Sequence, residues 1–249
     1  MILARLLKHS IEHGHTQAEI ETRLGSADEK PNYLRDAIYG GIDGAVTTFA
    51  IVAGVEGAGF DRQVIIALGI ANVLADGFSM AASNYSGIKA DSEQVSRLRA
   101  MELRHIQENP DGERYEIETI LKRKGLEGEQ LHEAVRVMTG HKALWLDMML
   151  VEEHGVSPVP ATPVRASMVT FVAFVVCGSI PLTPFVLNTE NPFNQAIVAT
   201  GITFLLIGSL KSRWSLSPWW KSALQTLSIG TLAAAIAWAA AVFVTSLGA

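Results

Sequence analysis

Acidic side chains stand in this sequence where acids are expensive. Asp43 and Asp76 each sit inside a long apolar run, and Glu56 lies near the end of the first run. An ionised carboxylate at mid-bilayer costs about 2.5 kcal/mol or more, so it normally faces a water-filled path or a partner. Asn72, Asp76, Met80 and Asn84 recur every fourth residue, with Ser79 and Ser83 beside them. At 3.6 residues per turn these lie along one slowly drifting helix face. A polar stripe in an apolar helix turns to the bundle interior rather than to lipid. Oxygen donors with one thioether suit a borderline divalent cation such as Fe²⁺ or Mn²⁺. A lone Met on a helix is more often packing than ligand, and the stripe around Met80 is what favours a ligand. Glu56 reads equally well as an interfacial anchor.

A second set of donors lies in a charge-rich stretch over residues 89–161. Glu102 and His105 are one turn apart, as are Glu113 and Glu116. Met148 shares a helix face with Glu152, and Met149 with Glu153. His141 and Trp145 continue the Met148 face. Three helices could converge these carboxylates, thioethers and an imidazole on a cluster of cations. A solvated charged helix explains any one of the glutamates; the grouping is what points to metal. Met148 and Met149, flanked by Asp147 and Glu152, fit a plain apolar core stripe poorly. Glu-x-x-His occurs at Glu102–His105, Glu129–His132 and Glu12–His15. Two such motifs plus two more glutamates build di-iron bundles, which would imply a membrane-anchored ferroxidase or iron store. Coincidence in a Glu-rich stretch explains the motif as well. His9, His13 and His15 read as solvated.

The elements that must hold these residues follow from charge and hydropathy. Of 249 residues, 49% are hydrophobic and 18% charged, against about 25% charged in a soluble chain. The charges gather in residues 1–36 and 89–153 and leave runs long enough to span a bilayer, which needs roughly 20 apolar residues. Five spans are expected, at about 37–59, 64–88, 164–187, 195–210 and 223–247. Lys and Arg mark cytoplasmic loops. They place the N-terminus, the insert and the loop around Lys211 and Lys221 inside, and the C-terminus outside. The second span runs on as a charged helix to about Gln107. A break at residues 109–112 precedes a helix over 113–124 and another over about 129–153. The expected organisation is an amphipathic cytoplasmic segment (1–36), two spans (37–88), a three-helix cytoplasmic metal-binding insert (89–161) and three spans (162–249). The fold class is all-α. A net charge of −5 and the lack of a basic stripe argue against nucleic acid. One cysteine, Cys177, excludes a disulfide framework and a Cys-based zinc site. Residues 1–8 are too short and mixed for a secretory signal.

The residues also resemble a known family. Tyr33-Leu-Arg-Asp-Ala-Ile-Tyr-Gly-Gly-Ile-Asp-Gly-Ala-Val-Thr-Thr is similar to the first span of the vacuolar iron transporter (VIT) family. Ser79-Met80-Ala81 resembles its second span, and Ser179-Ile-Pro-Leu-Thr-Pro184 its proline-marked third. Ile207-Gly-Ser-Leu-Lys-Ser and Ile229-Gly-Thr-Leu-Ala-Ala resemble the last two. The resemblance covers about residues 33–248. It implies a homodimer of five-span subunits with a pore between them, exchanging cytosolic metal for protons. It places membrane ligands at Asp43 and Met80, and cytoplasmic ligands at Glu102, Glu113, Glu116, Met148, Met149 and Glu152. The sequence departs from the family at His105 and Asn84, where Glu is usual, and at Ile42, where Asn is usual. An imidazole at 105 would shift preference among Fe²⁺, Mn²⁺ and Zn²⁺. Asn84 removes a proton carrier, for which Asp76 on the same stripe could compensate.

The expected activity is a secondary transporter, not an enzyme: a metal/H⁺ antiporter clearing Fe²⁺ or Mn²⁺ from the cytosol, with Zn²⁺ and Co²⁺ as further candidate substrates and no tightly bound cofactor. Asp43, Met80, Asp76, Asn84 and Glu56 would form its path. The expected place is the lipid bilayer of a bacterial inner membrane, with a vacuolar membrane as the alternative. A ferroxidase or store and a metal sensor are the competing classes.

Overall fold

The computed structural model describes residues 16–25, 33–157, 162–212 and 217–247. His9, His13, His15 and the Glu12–His15 pair lie outside them, as do Pro158 and Pro160. Among the described residues there is no strand, and the chain is an all-α membrane protein. Residues Met1–Asn32 form one unit, in which α1 spans Gln17–Gly25. Thr16 and Glu19 form a reciprocal capping box there: Glu19 N donates to Thr16 Oγ1 at 3.3 Å, and Thr16 N to Glu19 Oε2 at 3.0 Å.

The second unit, Tyr33–Ala249, holds the remaining helices. They are α2 (Leu34–Gly57), α3 (Arg62–Glu108), α4 (Pro110–Arg123), α5 (Gly128–Gly140) and α6 (Lys142–Glu152). Then come α7 (Pro163–Ser179), α8 (Thr183–Val186), α9 (Pro192–Ser212) and α10 (Trp219–Ser246). Four helices, α2, α3, α9 and α10, are long and apolar enough to cross a membrane; α7 is apolar but has 17 residues. α3 is one unbroken helix of 47 residues. At 1.5 Å per residue it is about 70 Å long, more than twice the hydrocarbon thickness. It therefore carries the chain out of the membrane and becomes the first arm of the insert, as its switch from apolar to charged residues near Lys89 suggested.

Three boundaries differ from those read in the sequence. The span expected to run to Leu187 stops at Ser179. Pro181 has no N–H and its ring would strike the carbonyl four residues back, so the chain turns and restarts as the short α8. Arg62 fixes that turn, donating from Nε to the Phe185 carbonyl and from Nη1 to Asn188 Oδ1, both at 2.6 Å. The break expected at 109–112 shrinks to one residue. Asn109 accepts from Gly112 N at 3.3 Å, and Pro110 takes the first helical position, where its missing N–H is harmless. The helix expected over 129–153 is two, α5 and α6, parted at the extended His141 after Gly140.

Inside the membrane part, α2 is central: it packs against α3, α7, α9 and α10. Its glycines explain how. A methyl on Gly40 would run into the Thr170 carbonyl, and one on Gly44 into that of Phe174. The small face of α2 thus presses on α7. This leaves the neighbouring face, with Asp43 and Thr47, for α3. Phe49, Val52, Ile65, Val73, Leu182 and Phe185 pack into one apolar core of the bundle. The insert has its own core of Ile117, Leu121, Leu131, Trp145 and Met149.

Candidate metal centres

The first centre is a ladder of polar contacts between α2 and α3. Asn72 Nδ2 lies 3.4 Å from both Thr47 Oγ1 and Thr48 Oγ1. Asp43 and Asp76 stand close enough to repel one another. Asn84 Nδ2 donates to Asp36 Oδ1 and to Thr170 Oγ1, each at 2.8 Å. An Asn amide has two N–H bonds, so Asn84 ties α2, α3 and α7 together at once. Met80 is half-buried on the same face of α3, between Asp76 and Asn84. The stripe read from the four-residue spacing is therefore the seam between α2 and α3. Glu56 is exposed near the end of α2 and joins no rung. Asp36, Thr47 and Thr170 belong to the ladder and were not foreseen. Asp36 falls seven residues before Asp43, two helical turns, and that spacing was the available signal.

The second centre lies in the insert, where α3, α4 and the end of α6 meet. Glu102 is buried, at 1% exposure, and Glu113 at 5%. Burying a carboxylate without a partner is costly, and one oxygen of each (Oε2) has no hydrogen-bond donor. His105 Nδ1 lies 3.5 Å from Glu113 Oε1. Donor atoms of Glu102, His105 and Glu113 all fall within 4.8 Å of one another, close enough to share an ion. Those of Glu102, Glu153 and His154 do so as well. Burial, then repulsion from Glu116, Glu102 and Glu153, pushes the Glu113 carboxyl up to about 7. Burial and the charges of Glu102 and Glu116 likewise raise Glu153. Excess buried negative charge with unsatisfied oxygens is the arrangement a hard or borderline cation relieves. The helices deliver it simply: Glu102 and His105 share a face of α3, and Glu113 and Glu116 a face of α4.

The other expected ligands are placed differently. Glu116 is exposed, one turn from Glu113. Met149 is fully buried in the insert core, with Met148 packed against it. Glu152 is turned away: its carboxylate binds Lys124 Nζ at 2.7 Å. Glu153, one residue on, faces Glu102 in its stead. Glu152 is the last residue of α6, and Lys124, just past the end of α4, draws its carboxylate aside. His154 was missed because it lies beyond the helix, where no periodicity could place it. Glu129 and His132 are exposed on α5, and His132 stands near Glu118. They do not face Glu102 and His105, so the paired Glu-x-x-His motifs build no di-iron bundle among the described residues.

Comparison with known proteins gives this arrangement a context. The model of the VIT family matches residues 34–242. The chain is 30% identical over 241 residues to a protein named vacuolar iron transporter 1 from Eucalyptus grandis, covering 94% of this chain and 97% of the relative. It is 33% identical over 216 residues to the protein of that name from Tulipa gesneriana, covering 86% and 87%. With the Arabidopsis thaliana vacuolar iron transporter 1 the identity is 29% over 235 residues, covering 93% and 89%.

Proposed function

The chain belongs to the VIT family, and we propose that it is a proton-coupled transporter moving Fe²⁺ or Mn²⁺ out of the cytosol. Its relatives are named iron transporters, which makes it a membrane transporter rather than a classical enzyme and Fe²⁺ the first substrate to test. Those names also favour a vacuolar membrane over the bacterial inner membrane first expected.

The observation that carries the reading is the pair of donor sets on one continuous helix. Asp76, Met80 and Asn84 lie on the apolar half of α3, and Glu102 and His105 on its charged half. The insert cluster captures the cation from the cytosol. Asp43 and Met80 then pass it across the apolar layer, and protonation of carboxylates from the far side releases it. A second subunit completes the path. Ser79 and Ser83 are exposed on α3 beside the Asp76 stripe, and a polar face inside an apolar span needs a partner other than lipid.

Liposomes holding the purified protein, acidic inside and given Fe²⁺ or Mn²⁺ outside, test the proposal. Wild type is expected to load metal, and Asp43→Ala to fail. Equal flux in the two would remove Asp43 from the path, and no flux in either would leave the insert as a metal store.

A further inference from the structure

Positive charge at the joint between the last two spans has nothing to balance it. Residues 191–249 hold no Asp or Glu, and their three cations, Lys211, Arg213 and Lys221, fall within eleven residues. Arg213 lies outside the described residues. Lys211 stands in the last turn of α9 and Lys221 in the first turn of α10. Gly208 lets these helix ends close up: a methyl there would fall 2.6 Å from Ala223 Cα. The two lysines flank that contact, three residues past Gly208 and two before Ala223. Ile207 packs beside Gly41, and Asn84 bonds Asp36, so the joint lies on the side where α3 leaves the membrane for the insert. The surroundings are apolar. Trp219 and Trp220 are 65% and 48% exposed, and Leu210 and Leu224 stand open near the lysines. Lys221 Nζ lies over the Trp220 ring, 5.5 Å from its centroid. Among the described residues neither lysine forms an ion pair, whereas Lys89, on α3 at the same side, has Glu93 Oε1 at 3.7 Å.

We propose that this joint binds an anionic phospholipid of the adjoining leaflet. Its phosphate sits between Lys211 and Lys221, the indoles of Trp219 and Trp220 lie at headgroup depth, and its acyl chains run along Leu210 and Leu224. The inference needs only that α9 and α10 span a bilayer, and it is independent of which ion the protein carries. Indoles collect at the membrane interface, where one end of the ring is apolar and the other wet. Lysines close to the surface are drawn to anionic headgroups, each worth about fivefold in affinity. The far end of α10 is the internal comparison. Trp238 is 49% exposed there, about 28 Å along the helix from Trp219, yet residues 222–249 hold no Lys or Arg. Interfacial aromatics thus stand at both ends, and a counter-charge for phosphate at one only. An acidic protein segment would match the lysines but would leave the indoles and leucines without a partner.

Native mass spectrometry of the full protein in detergent tests this by counting the lipids retained from an equimolar mixture of phosphatidylglycerol and phosphatidylcholine. Wild type is expected to retain phosphatidylglycerol in preference. The preference should fall about fivefold in Lys211→Gln or Lys221→Gln and roughly 25-fold in the double variant. Lys211→Arg with Lys221→Arg should keep it, which separates lost charge from a fold defect. Lys89→Gln, the paired lysine on α3, should leave it unchanged. Equal retention of the two lipids by wild type, or an undiminished preference in the double Gln variant, overturns the inference. A preference lost in Lys89→Gln instead would put the lipid at α3 and overturn it too. Displacement of the lipid by millimolar inorganic phosphate would reveal a plain anion site and overturn the lipid assignment.

Discussion

The two donor sets share α3 yet solve opposite problems. In the membrane ladder, polar groups find each other: Asn72 meets Thr47 and Thr48, and Asn84 meets Asp36 and Thr170. Few charges are used, because each is expensive in the apolar layer. In the insert, charge is gathered to excess and left partly unsatisfied, with Glu102 and Glu113 buried and each short of a donor. A ladder of mostly neutral partners suits an ion that must move on. A crowded acidic cluster suits an ion that must be caught from dilute solution. On the proposed reading capture and passage are separable, and variants should separate them.

The largest expected effect is on passage. Asp43→Asn should cut flux on the order of 100-fold, equivalent to about 3 kcal/mol, while dialysis finds insert binding unchanged. Loss of binding as well would merge the two regions into one site. The next is on capture. Glu102→Gln should weaken insert binding roughly 10- to 100-fold and, with a chelator present, leave the metal-free protein within about 1 kcal/mol of wild type, because the Gln amide keeps an oxygen for His154 and relieves repulsion among the neighbouring carboxylates. Thermal unfolding reads the second effect; destabilisation there would mean that the cluster holds the insert together without metal.

The pH dependence belongs to the insert. Glu113 titrates near 7 in the fold and near its ordinary 4.5 unfolded, so between those values the folded protein holds a proton that the unfolded chain has lost. Stability of the metal-free protein therefore falls as pH rises from about 4.5 to 7, on the order of 2 kcal/mol. Metal must displace that proton, so affinity rises over the same window. Calorimetry in buffers of differing ionisation enthalpy should find protons released on binding at pH 6. A flat profile would place the cluster's excess charge elsewhere. Gly44→Ala forces a methyl against the Phe174 carbonyl and should cost about 1–3 kcal/mol, lowering flux but not capture. The smallest effect is Lys124→Met. Its pair with Glu152 is partly exposed, so stability should change by less than about 1 kcal/mol. Unaltered Co²⁺ binding in that variant would confirm that Glu152 stands outside the cluster.

The ladder was more legible in the sequence than the cluster. A polar stripe on a continuous helix obeys one period, so Asn72, Asp76, Met80 and Asn84 could be placed together from spacing alone. Its partner Asp36 obeys the same rule on α2 but sits at a span's edge, where an acid looks ordinary. In the insert, Glu102 with His105 and Glu113 with Glu116 followed helical spacing as well. Glu153 was placed by spacing on the Met149 face, but His154 was not, because its position depends on where α6 stops and on the turn at Gly155. Met148 and Met149 looked like donors among acids, yet the gap between α4, α5 and α6 needed apolar volume, and they fill it. The proline-marked segment announced itself, but not that Pro181 would end α7 and leave a helix of 17 residues.

The claim that metal passage is tied to protons is tested most directly by measuring both in the same vesicles. Proteoliposomes with an entrapped pH dye and an entrapped metal dye, equal pH on both sides and Fe²⁺ added outside, should show internal pH rising as metal enters. Both signals should vanish in Asp43→Asn. Metal entry with no change in internal pH would contradict the account.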